Sequence, residues 1–124
     1  MKLALCAKGE GLKADFDQRF GRCPYFVIVD SETGNLLESL PNASADAAGG
    51  AGPQAVQLLA KHQVEAVVLG NVGPNAATAL EAANIKVYSS FEKTVEDSIK
   101  KYTAGSLKEV TQANTEQHSG IRRT

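Results

Sequence analysis

Asp15, Asp17, Arg19, Arg22 and Cys23 fall within one short stretch, interleaved with Phe16 and Phe20. The two phenylalanines, four positions apart, can anchor the stretch to a core while Arg19 and Arg22 project toward an anion. Cys23 sits beside Arg22, which favours the thiolate, the form that ligates soft metals. On composition alone the same residues suit, equally well, a solvated loop whose arginines pair with Asp15 and Asp17. Cys6 lies inside an apolar run and is expected to pack as a small apolar side chain, so Cys23 is expected to be the more accessible of the two, although for a lone cysteine inert packing is a commoner role than ligation.

Two Gly-Pro pairs, Gly52-Pro53 and Gly73-Pro74, have the form of helix starts, because proline at the first helical position loses no hydrogen bond. Free backbone N–H groups and the positive end of the helix dipole favour an anion at such a start. Gly49, Gly50 and Gly52 precede the first pair, and Asn71 and Gly73 the second. Taken singly, either pair is explained as an ordinary helix start. Gly50 to Ala55 formally matches the dinucleotide fingerprint G-x-G-x-x-A, but no strand leads directly into it and Pro53 removes an N–H that a pyrophosphate would need. His62 falls near the end of a helix, where an imidazolium can meet terminal carbonyls. His118 lies in a polar tail, from which it could swing over a ligand and serve with Cys23 as a metal ligand. No nucleophile elbow, Walker A motif or His-Glu-x-x-His motif occurs, so no catalytic agent stands out.

The elements that must position these residues follow from the hydrophobic pattern. Lys2 to Ala7 is a nearly continuous apolar run, as in a strand covered on both faces. Residues 9–24 form a long glycine-punctuated loop. Tyr25 to Asp30 and Leu36 to Leu40, joined by turn residues 31–35, read as a hairpin. Residues 41–52 are small and polar and are expected to be a mobile loop. A helix from Pro53 to about His62 is followed by a strand at 65–70. The second helix begins at Pro74, with Asn84 ending it in the left-handed conformation, and a strand follows at 85–88. Ser89 and Glu92 have capping-box spacing before a third helix, which Gly105 closes.

This order, β-β-β-α-β-α-β-α, predicts an α/β fold: a five-stranded mixed sheet with one antiparallel strand and three helices. The loops at the carboxyl ends of its parallel strands, where open sheets bind ligands, are 8–24, the approach to Pro53, and 71–75. They should converge. Residues 1–105 are expected to form one domain and 106–124 a flexible tail.

The 124 residues suffice for a single core, and with 43% hydrophobic and 22% charged residues the chain has a globular composition. A formal net charge of -1 gives no bulk attraction to nucleic acid or an anionic membrane, so neither is expected as a partner and any anion site must be local. No apolar run reaches the roughly 18 residues that span a bilayer, and a cytoplasmic location with two free thiols is expected.

Asp17-Gln18-Arg19-Phe20-Gly21-Arg22-Cys23-Pro24-Tyr25-Phe26 resembles the D-x-R-F-G-R-[AC]-x-x-F signature of the NifX/NifB/NafY family of dinitrogenase iron–molybdenum cofactor proteins. The likeness continues through Asn42, Gly49 to Gly52, Val67 to Gly73, Asn84 to Val87, and the last helix with Ala104 to Leu107. The resemblance implies a ribonuclease-H-like three-layer fold. It also implies a carrier or scaffold, not an enzyme, that holds an anionic iron–sulfur or iron–molybdenum cluster during cofactor assembly, with other assembly proteins as partners. Family carriers often use a well-placed His or several Cys, whereas this chain offers Cys23 and the distant His62 and His118, so binding should be transient. Arg19, Arg22, Cys23, Asn42, Gly49, Gly50, Gly52, Asn71 and Gly73 form the expected site. A nucleotide- or phosphate-binding module, or an interaction domain without metal cargo, is the alternative. Leu5 and Cys6 stand where a nuclease of that fold would carry an acid, which argues against nuclease activity.

Overall fold

The computed structural model describes residues 1–111. Within them the elements are β1 (Lys2–Ala7), β2 (Tyr25–Asp30), β3 (Leu36–Pro41), α1 (Ala51–Lys61), β4 (Ala66–Leu69), α2 (Pro74–Ala82), β5 (Lys86–Ser89), α3 (Val95–Thr103) and β6 (Lys108–Glu109). They form one six-stranded mixed sheet in the order β3-β2-β1-β4-β5-β6. β1, β4 and β5 are parallel neighbours, and β2 runs antiparallel to both β1 and β3. No helix among the described residues is long and apolar enough to cross a membrane.

The apolar run that marked β1 as a covered strand fits its place as one of the two central strands, beside β4, with Leu3 through Ala7 buried. Side chains alternate across a strand, so β1 feeds two cores. Ala4 and Cys6 join Phe26, Ile28, Val67 and Leu69 under α1 and α2, which contribute Ala55, Val56, Leu59, Ala76 and Leu80. Leu3, Leu5 and Ala7 join Val27, Val29 and Val68 on the other face, under Val95 and Ile99 of α3. The sheet is therefore sandwiched between two helices on one side and one on the other. Each fully buried Val, Leu or Ile stabilises this packing by roughly 1.5–3 kcal/mol.

Three expectations need correction. The sheet has six strands, not five: Lys108–Glu109 pairs antiparallel with β5, and the Val110 N–H donates to the Val87 carbonyl at 2.8 Å. The sequence hid this strand because it is two exposed residues with no alternation, formed only by docking on a free sheet edge. With β6 reversed as well as β2, two strands run against the rest, not one. The third helix is capped by Thr94, whose hydroxyl accepts from the Asp97 N–H at 3.1 Å, and not by a Ser89–Glu92 box. Ser89 is held in β5 and the Ser90 hydroxyl is spent on Ser98, at 2.8 Å. The hairpin and the left-handed Asn84, at φ 59°, are as expected.

Candidate functional site

The loop after β1 does not wander over solvent. It returns beside the sheet: the Asp17 N–H donates to the Cys6 carbonyl at 2.9 Å, and the Phe16 N–H to the Lys93 carbonyl at 2.9 Å. Phe16 and Phe20 are both buried, one in each core. Residues 18–20 then extend the end of β4, with Asn71 donating its N–H to the Gln18 carbonyl at 2.7 Å and accepting from the Phe20 N–H at 3.4 Å. That seating requires Gly70: a Cβ there would meet Gln18 Cβ at 2.6 Å and its Cα at 2.9 Å.

Asp17 is 1% exposed, and its carboxylate accepts from the Arg19 backbone N–H and Nε and, at 2.7 Å, from Nη2. Burial pushes this carboxyl up, but the Arg19 hydrogen bonds and charge, helped by Lys8, outweigh burial and hold it below the usual carboxylate value. Arg19, with its side chain 63% exposed, is thereby fixed at the rim near Asn71. One of the two expected ion pairs thus exists, and it orients the arginine without burying it.

The segment Gly21 to Cys23 is bound to the 42–47 turn. The Asn42 amide donates to the Gly21 carbonyl at 3.1 Å and the Cys23 carbonyl at 2.8 Å, and approaches Cys23 Sγ at 3.9 Å. Its oxygen accepts from the Ser44 N–H and hydroxyl at 3.1 and 2.6 Å. Both donors and both lone pairs are thus engaged internally. Arg22 Nη1 donates to the carbonyls of Ala45 and Ala47 at 3.1 and 2.6 Å. A loop expected to be mobile is thus tied down by a buried Asn-x-Ser turn and a guanidinium.

The N-termini of α1 and α2 meet here. Gly50, at φ 72°, precedes α1, and Gly73 precedes α2. Neither end has a side-chain cap, nor an acidic residue in its first turn. α3 differs, with the Thr94 cap and with Glu96 and Asp97 in its first turn. A Cβ on Gly52 would lie 2.8 Å from Ala76 Cβ, and one on Gly21 would lie 3.1 Å from both Gly52 Cα and N. Glycine lets three chain segments stack at backbone distance. The positive ends of two helix dipoles therefore point to one rim that also carries Arg19 and Arg22.

Of the expected site residues, Arg19, Arg22, Gly49, Gly50 and Asn71 are exposed on this rim, with Gly52 and Gly73 partly covered beneath it. Asn42 is buried under it. The expectation of an accessible Cys23 thiol is corrected: Cys23 is 0% exposed, because Phe20, Asn42 and Cys6 close over it. Burial also pushes the Cys6 thiol well up, with the Cys23 hydrogen bond and the Cys23 and Asp17 charges adding to it. Among the described residues no group of three or more His, Cys, Asp and Glu is placed to hold a metal ion. His118 lies outside the described residues. The sequence reading missed Ser44 and the contacts of Gly21 and Gly70. The Asn-x-Ser spacing after Pro41 was the one available signal for the first.

The family model for the dinitrogenase iron-molybdenum cofactor matches residues 1–105. The apo form of the orange protein from Desulfovibrio gigas is similar in structure, with a TM-score of 0.86 and 38% identity over 92% of this chain and 96% of that one. A Thermotoga protein solved by NMR, described as a candidate NifB protein of the DUF35 family, gives 0.80 and 39% over 93% and 97% of the two chains. An uncharacterised protein of Methanocaldococcus jannaschii is 30% identical over 109 residues, 86% of this chain and 89% of that protein.

Proposed function

The chain belongs to the dinitrogenase iron-molybdenum cofactor family, and from that premise we propose that it is a binding protein, not an enzyme, which carries an anionic iron–sulfur or iron–molybdenum cluster during cofactor assembly. The observation that carries this reading is the meeting of two uncapped, acid-free helix N-termini at Gly52 and Ala76, beneath a rim bearing Arg19 and Arg22. A sulfide-rich anion needs positive potential and N–H donors, and this rim supplies both. The strand order with β2 reversed, and helices on both faces, supports a ribonuclease-H-like three-layer architecture for residues 1–105.

Cys23 enters as a packing residue and not as a sulfur ligand. Its burial leaves cargo held by charge and backbone amides, which suits loose, reversible binding and hand-over to another assembly protein. Asn42 works from beneath, holding Gly21 and Cys23 in place.

Anaerobic reconstitution with iron, sulfide and molybdate, followed by metal analysis and visible absorbance, tests the proposal. Uptake that drops at least several-fold in both Arg19→Ala and Arg22→Ala, and persists in Cys23→Ala, is the expected result. No uptake, or uptake that both arginine variants retain, sinks it. A thermal shift with nucleotides and none with clusters would favour a phosphate-binding module instead.

A further inference from the structure

The Arg22 guanidinium is engaged through one of its nitrogens only. Its Nη1 hydrogens are both consumed by the carbonyls of Ala45 and Ala47, while among the described residues Nε and Nη2 make no hydrogen bond. The side chain is exposed. Those carbonyls belong to a strap, residues 43–50, that runs from the buried Asn42–Ser44 turn to the N-terminus of α1. Ala43, Asp46, Ala48, Gly49 and Gly50 in it are exposed. Nothing lies within 4 Å of where a Gly49 Cβ would be, so the strap is open at that position. Among the described residues its hydrogen bonds outside α1 are those of the Asn42–Ser44 turn, where the Ser44 hydroxyl also reaches the Gly21 carbonyl at 3.3 Å, its own turn bonds, and Arg22 in the middle.

We infer that Arg22 is a positioning latch that couples cargo to the strap: Nη1 holds residues 45–47 while the Nε–Nη2 edge receives a dianionic oxo- or thiometalate group, so that binding the anion tightens the strap beside the α1 N-terminus. This deepens the reading given under the proposed function and rests on it for the identity of the anion. The chemistry follows from the planar fork. A guanidinium offers five N–H groups in fixed directions, and two parallel donors on one edge match two oxygens or sulfides of a tetrahedral group. An anion held there immobilises the plane and with it the two carbonyl bonds on the other edge. Lysine has the charge, but its three donors rotate about a single nitrogen, so it cannot serve both edges in fixed geometry.

Hydrogen–deuterium exchange on the intact protein, read by mass spectrometry on peptides covering residues 42–50, separates the two halves of the inference. Without any ligand, strap amides in Arg22→Lys and Arg22→Ala should exchange several-fold faster than in the wild type, while peptides from β1 and β4 stay unchanged. Equal strap exchange in wild type and Arg22→Lys would overturn the latch. With molybdate added as the probe, strap exchange in the wild type should slow further, by two-fold or more, and Arg22→Lys should show no such slowing even where it still binds. Faster strap exchange on binding would show that anion and carbonyls compete, and would overturn the coupling. Equilibrium dialysis of molybdate run alongside keeps the two readings apart. An absence of binding counts against the proposed cargo and against the coupling, whereas the ligand-free comparison judges the latch alone.

Discussion

Gly52 and Ala76 stand so close that a Cβ on the first would fall 2.8 Å from the Cβ of the second. That single approach brings the first turns of α1 and α2 together and aims both dipoles at one place. Replacing Gly52 by alanine should therefore prise the two N-termini apart. The expected outcome is a destabilisation of about 1–3 kcal/mol from overpacking, with cluster uptake reduced beyond what the stability loss explains. Denaturant unfolding and reconstitution on the same samples check it.

Gly70→Ala should be at least as damaging, because the methyl would meet the Gln18 Cα and carbonyl oxygen at 2.9 Å, atoms that cannot rotate away. Its effect should reach the loop first. The Asn71 to Gln18 hydrogen bond that extends the end of β4 would lengthen, and amide exchange at 18–20 should rise before global unfolding does.

Asp17→Asn tests how Arg19 is oriented. The Asp17 carboxyl is depressed in the fold, so its stabilising effect is complete above the unfolded value of about 3.9 and is lost as pH falls through the lower folded value. At neutral pH the variant should lose about 1–2 kcal/mol, the lower part of the range for charged hydrogen bonds because the guanidinium is mostly exposed. The gap between wild type and variant in urea unfolding should narrow as pH is lowered from about 5 to about 2. A gap that widens toward acid would contradict the assignment.

Neither thiol should react with a charged aromatic disulfide reagent in the native protein. Cys6 and Cys23 are both fully buried, and the Cys6 thiol is pushed well up. In denaturant both should react at once. Rapid native labelling of Cys23 would reopen its role as a cargo ligand.

The fold class, the hairpin, the three helices and the resemblance carried by residues 17–26 were all legible in the amino-acid sequence. Periodicity and turn chemistry are local, and an apolar run such as Leu3 to Ala7 reports its burial wherever it sits. The three loops at the carboxyl edge could be named, and so could Arg19 and Arg22, because their residue types are unusual. Tertiary structure alone decided what these side chains touch. It buried Cys23, which its place outside the apolar run had marked as the more accessible thiol, engaged every hydrogen-bonding group of Asn42 internally, and turned Arg22 toward carbonyls more than twenty residues away. It also added β6, whose two exposed residues carry no pattern of their own. Contacts between segments far apart in sequence depend on how closely backbones can stack, and here glycines 21, 52 and 70 set that distance.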